Sequence, residues 1–82
     1  MNPKILIYYT GIPEEIEAFV SNNQDVSFHK EGVRVYDGVN IPRMVVNFVG
    51  NGRQNSINIP NFIDLLKKLK LENKIIDFRK PN

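Results

Sequence analysis

Lys4-Ile-Leu-Ile-Tyr-Tyr9 is a strand-like apolar run, and Thr10-Gly-Ile-Pro13 leads from it into a helical pattern. The plan recurs downstream. Arg43-Met-Val-Val-Asn-Phe-Val49 is a second such run, and a polar loop carries it to Asn58-Ile-Pro60 and another helical pattern. Ile75-Ile-Asp-Phe78 closes the chain. Alternation at every second position marks a strand, whereas recurrence at three and four residues marks a helix. With the alternating stretch between residues 26 and 41, the order is β-α-β-β-α-β, two split βαβ halves. The expected fold is α+β and ferredoxin-like: a four-stranded antiparallel sheet with two helices on one face. The 82 residues are expected to form a single domain, 1–82.

The first strand is expected over 4–10, with Ile5, Ile7 and Tyr9 on one face and Leu6, Tyr8 and Thr10 on the other. Pro13 suits a first helical turn, and Glu14, Glu15 and Glu17 suit the positive end of the helix dipole. Ile12, Ile16, Phe19 and Val20 make that helix's apolar stripe, which ends in Ser21–Asp25. In the middle, Val26–His29 and Val33–Tyr36 alternate around an interruption at Lys30-Glu-Gly32. Asp37-Gly38 is a hairpin-turn dipeptide. Two arrangements fit: one long second strand bulged at Gly32 and paired with 43–49, or an extra hairpin. The pattern favours the bulged strand. Gly50–Ser56 reads as a loop, and the second helix as starting between Asn58 and Asn61, with Asn61 and Asp64 as a capping pair. Phe62, Leu65, Leu66 and Leu69 form its buried stripe, and Lys67, Lys68 and Lys70 its wet side. The last strand is expected over 75–79, with Lys80-Pro-Asn82 as a tail.

Apolar residues make up 41%, and eighteen of them are Val or Ile, which favours a sheet. A core in so short a chain is small, burying about 60% of the unfolded surface. There is no Cys, so no disulfide and no thiolate metal site is available. The simplest compartment is cytoplasmic. The N-terminal run is too short for a signal peptide, and no apolar stretch is long enough to span a membrane. The net charge of +2 is too small to imply nucleic acid by itself. Its distribution is polar: six acids and three bases in residues 1–40 give −3, and three acids and eight bases in 41–82 give +5. Eleven Asn and ten Ile carry the flavour of an AT-rich genome, such as a low-GC bacterium or its phages.

No catalytic constellation emerges. His29 is the only histidine; it has no nucleophile or carboxylate pair at a recognisable spacing, and alone it makes no metal site. Glu14 and Glu17 share a helix face, but nothing beside them would split their pKa values as acid–base catalysis requires. In the Gly50–Ser56 loop, Gly50-Asn-Gly-Arg53 would offer backbone N–H groups to an anion, yet its spacing matches no phosphate-binding fingerprint. Lys67, Lys68, Lys70 and Lys74 form a basic cluster that would grip phosphate, though lysines on a surface helix are ordinarily only its solvated side. If the helices cover Ile5, Ile7, Met44, Val46 and Phe48, the open sheet face carries Leu6, Tyr8, Arg34, Tyr36, Arg43, Val45 and Asn47. Tyr and Arg beside small apolar groups suit a protein interface or stacked bases.

Ile5-Leu-Ile-Tyr-Tyr-Thr-Gly-Ile-Pro13 resembles the first strand of an RNA recognition motif, in which an aromatic stacks a base; Tyr8 or Tyr9 stands at that place. The family's second motif, on its third strand, is rich in Gly and aromatics. Arg43–Val49 keeps a leading Arg and lacks the Gly and the paired stacking aromatics, so the family is not assigned. The expected function is a small non-catalytic protein that binds another protein, such as a phage or mobile-element inhibitor of a host complex. The alternatives are a weak single-stranded RNA or DNA binder on the open face, and a small-ligand regulatory domain using Gly50–Asn55. The binding residues expected are Tyr8, Arg34, Tyr36, Arg43, Asn47 and Arg53. No enzyme activity, cofactor or metal is expected, and no membrane. A homodimer is expected, through the open face or the edge strand Ile75–Phe78.

Overall fold

A computed structural model describes residues 2–81; Asn82, the last residue of the expected tail, and Met1 lie outside the described residues. The element order is β1 (Lys4–Tyr8), α1 (Glu14–Ser21), β2 (Val26–Tyr36), β3 (Val39–Phe48), α2 (Gly52–Leu71) and β4 (Asp77–Arg79). The four strands form one antiparallel sheet in the order β2-β3-β1-β4. The fold is α+β, four antiparallel strands and two helices.

Alternation decides which face is dry. Ile5 and Ile7 of β1 oppose Val46 and Met44 of β3, and all four belong to the core with Phe48, Ile16 of α1, and Phe62, Leu66 and Leu69 of α2. Both helices therefore bury their stripes against the same sheet face. Ile12, Phe19, Val20 and Leu65 pack partly buried at its rim. Lys67, Lys68 and Lys70 are exposed on α2.

The middle of the chain is one long bulged strand. β2 pairs with β3 from Val26↔Phe48 to Tyr36↔Val39, and the register shifts between Lys30 and Val33. Gly32 takes φ 75 at that bulge, a conformation open to Gly without a Cβ penalty. Asp37 (φ 50) and Gly38 (φ 77) both lie in the left-handed region, as a two-residue hairpin turn requires. β3 therefore begins at Val39, not at Arg43 as expected. Pro42 sits inside it, opposite Val33 and next to the bulge, where the ladder is already interrupted. Its carbonyl accepts from the Tyr9 N–H at 3.0 Å.

The start of α2 corrects the sequence reading most. The helix begins at Gly52, not between Asn58 and Asn61, and runs 20 residues, about 30 Å at 1.5 Å per residue. Its cap is Asn51: the Asn51 side chain accepts from the Gln54 N–H, and the Gln54 side chain accepts from the Asn51 N–H, each at 2.9 Å. This reciprocal box satisfies two backbone donors that a helix start otherwise leaves open. Asn61 and Asp64 lie mid-helix. Pro60 is inside the helix, and it deprives the Ser56 carbonyl of an N–H donor. Ser56 and Pro60 are exposed, on the solvent side of the helix. The other boundaries are smaller corrections: β1 stops at Tyr8, and β4 starts at Asp77.

Gly50 is held by close packing. A Cβ there would meet Gln54 Oε1 at 2.8 Å and the Asp25 Cβ at 2.9 Å. Gly50→Ala must displace the capping Gln54 and press on the start of β2. The expected cost is about 1–3 kcal/mol, read as a lower urea midpoint. A companion Gly52→Ala, where a Cβ meets nothing within 4 Å, should leave the midpoint near that of the parent.

Candidate functional site

The sheet face away from the helices is built by cross-strand neighbours. Tyr8 of β1 stands between Arg43 of β3 and Asp77 of β4; Leu6 stands between Val45 and Arg79. Beyond the bulge, Arg34↔Ile41 and Tyr36↔Val39 continue the same face. β2 and β4 are the two opposite edges of the sheet, yet the Tyr36 hydroxyl donates to the Asp77 carboxylate. The β2–β3 arm therefore bends back over the face. A bulge bends and over-twists its strand, and Glu31–Gly32 supplies one where the arm begins.

This corrects the expectation of an open face. Tyr8 is only 1% exposed and Val45 3%. The Tyr36 ring lies 4.5 Å from the Tyr8 ring, centroid to centroid, at 43°. The guanidinium groups of Arg43 and Arg79 stand 5.9 and 5.5 Å from the Tyr8 centroid, within cation–π range. Arg43 also donates to the Tyr8 hydroxyl at 3.5 Å and to Glu31 at 2.7 Å, and Arg79 donates to the same hydroxyl. The phenol of Tyr8 is an acceptor shared by two cations.

The electrostatics follow. Hydrogen bonding from Arg43 holds the Tyr8 hydroxyl below the ordinary phenol value, burial opposes this, and Arg79 adds to the lowering. Tyr36 moves the opposite way, raised first by its hydrogen bond to Asp77 and then by burial. For Asp77, burial pushes the carboxyl up, but hydrogen bonds from Tyr36, Lys70 and the Phe78 N–H outweigh it and hold it below the usual range. A carboxyl depressed by folding stabilises the fold above its unfolded pKa, and that contribution is lost as pH falls through the folded value. Asp77→Asn should therefore flatten the acid limb of the stability profile below about pH 4. Urea midpoints from pH 2 to 7 check this; an acid limb as steep as the parent's would refute it.

The structure brings together Tyr8, Tyr36 and Arg43 of the expected binding residues, and separates the rest. Arg34 lies exposed on the arm and donates to its own neighbour, the Val33 carbonyl, at 3.1 Å. Asn47 is half-buried on β3, between Lys4 and Ser27. Arg53 is exposed in the first turn of α2. Three cluster members were missed: Glu31, Asp77 and Arg79. Alternation in β4 puts Asp77 and Arg79 on the Tyr8 face, a signal present in the sequence. Glu31 sits within the bulge, where alternation fails.

The remaining candidates lie outside this cluster. The donors of the Gly50–Asn55 segment at Asn51 and Gln54 are taken by the capping box. His29 is exposed on β2. Lys74 bridges to Glu15 at 2.8 Å across the hollow between α1 and the end of α2, and Lys70 to Asp77 at 2.9 Å. Among the described residues, no three His, Asp or Glu side chains converge as a metal-ligand set, and no helix is long and apolar enough to cross a membrane. Comparison with protein families, with curated proteins and with solved structures finds no match to this chain.

Proposed function

We propose that this chain is a small non-catalytic domain that binds another protein, and that the β2–β3 arm is its contact. One observation carries the reading: the arm exposes Val33 and Val35 together on one face, at 55 and 69%, and Val39 on the other, at 58%. Grouped apolar side chains on a projecting element mark interaction surfaces. The arm is also braced. Tyr36 ties it to Asp77 across the sheet, and an element already ordered loses less entropy on binding. In this reading Arg34 and Tyr36 lie at the contact, while Tyr8 and Arg43 hold the arm in place. The element and strand order fit a ferredoxin-like domain, an architecture that by itself assigns no activity. An inhibitor of a host complex, encoded by a phage or mobile element and acting in the cytoplasm, fits the composition.

Single-stranded nucleic-acid binding fits less well. It needs free aromatic faces, and the Tyr8 ring is buried. Tyr36 alone would supply about 1–3 kcal/mol of stacking, too little to hold a strand at this net charge. The test is capture from host lysate by three immobilised forms: parent, Val33→Lys/Val35→Lys, and Lys68→Glu. Stoichiometric partners held by the parent and Lys68→Glu forms, and lost by the arm variant, are expected. Partners retained by the arm variant would move the contact elsewhere; no captured protein at all would defeat the reading.

A further inference from the structure

We infer that the arm binds by strand addition: an extended segment of the partner pairs along the free edge of β2 at residues 33–36, with apolar side chains against Val33 and Val35 and an acidic side chain against Arg34. This rests on the protein-binding reading and adds its mode and its partner chemistry.

β2 is an edge strand of 11 residues, and an edge strand presents a row of N–H and C=O groups that its single neighbour cannot satisfy. Among the described residues, the only hydrogen bond to the backbone of 33–36 outside the β2–β3 ladder comes from the Arg34 guanidinium, on the Val33 carbonyl. Edges are normally blunted by Pro, by charge or by a covering element. Here the bulge and Lys30 precede the segment, and Val33-Arg-Val-Tyr36 carries one charge in four residues. The two faces of this short edge differ. Val33 and Val35 share one face with Pro42 and Asn40, and Arg34 and Tyr36 share the other. Arg34 is exposed and has no carboxylate within ion-pair reach among the described residues. An added strand gains affinity from main-chain hydrogen bonds and specificity from alternate side chains, so a segment alternating valine-like and acidic residues matches this edge.

A second copy of the chain matches it poorly. Antiparallel pairing that sets Val33 against Val35 of the other copy also sets Arg34 against Arg34 and Glu31 against Asp37. Like charges directly opposite are destabilising. Shifting the register to avoid this sets one of the two valines of each copy against Asp37 or Glu31.

The probe is a short fluorescent peptide of alternating valine and glutamate, compared with its valine–lysine counterpart. Anisotropy reads affinity, and hydrogen exchange reads which amides are covered. The glutamate peptide is expected to bind about tenfold or more tightly than the lysine peptide, to protect amides within 33–36, and to lose its advantage on Arg34→Glu. Circular dichroism unchanged in that variant keeps the comparison fair. Equal affinities, protection confined to other segments, or no binding would overturn the inference, as would a dimer in light scattering that Val33→Lys/Val35→Lys dissolves. If the peptides fail while lysate partners remain arm-dependent, strand addition is wrong and the protein-binding reading stands. Peptide binding without any lysate partner would sink that reading and leave the edge chemistry intact.

Discussion

Phe62→Ala should bring the domain close to unfolding at room temperature. Phe62 is fully buried, and its ring lies 4.9 Å from Phe19 and 5.7 Å from Phe48. It joins α2 to α1 and to the sheet. Removing a buried Phe costs about 3–5 kcal/mol, the lost transfer energy plus the cavity left behind. A domain of this size has about 4–12 kcal/mol in total. The urea midpoint should collapse, with the slope kept if folding remains two-state. Phe62→Leu, which retains most of the apolar volume, should cost less than half as much. If Phe62→Ala shifted the midpoint no more than an exposed change such as Leu71→Ala, the core described above would be wrong.

Tyr8 supplies the second large effect, and here the pair of substitutions matters. Tyr8→Ala should cost about 3–4 kcal/mol, because it empties the space under Tyr36 and between two guanidinium groups. Tyr8→Phe keeps the ring and the cation–π contacts and loses only the shared acceptor, so about 1 kcal/mol is expected. A large gap between the two identifies the ring as the support on which the arm rests. Hydrogen exchange at residues 33–41 should then quicken in Tyr8→Ala and stay near the parent rate in Tyr8→Phe. Equal effects of the two changes would instead make the hydroxyl network the chief support. Alkaline titration followed by tyrosinate absorbance gives an independent check. Tyr8, lowered, should ionise before Tyr36, raised. The linkage signs are opposite. Ionised Tyr8 adds stability as pH rises from its folded value toward the unfolded value near 10, whereas the Tyr36 contribution is present below that value and lost above it.

Much of the architecture was legible because it depends on local pattern. The two-residue period of Ile5, Ile7, Met44, Val46 and Phe48 and the helical spacing of Phe62, Leu66 and Leu69 are set by side-chain direction alone. Asp37-Gly38 announced its turn because few other residue pairs accept two left-handed positions in a row. The start of α2 was written in the chain as Asn51 followed three residues later by Gln54, but Gly, Asn and Pro60 read locally as loop and outweighed it. A capping box and tertiary packing of the later turns overrode that propensity. The site was legible only by halves. Alternation placed Tyr8, Arg43 and Tyr36 on one face without showing that the face is closed.

The sequence by itself determined the element order, the dry face of each element and the hairpin turn, since each follows from dihedral preference and side-chain period. Only the tertiary structure decided what the other face is. The bulge at Glu31–Gly32 carries the arm back over Tyr8, and Tyr36 reaches Asp77, 41 residues away in the chain. Such long-range pairing has no local signature, because it depends on the twist of the sheet and the bend of one strand. That bend lays Tyr36 over Tyr8, which the expectation of an open face had left exposed, and leaves the arm's valines and the edge of β2 as the surface facing outward.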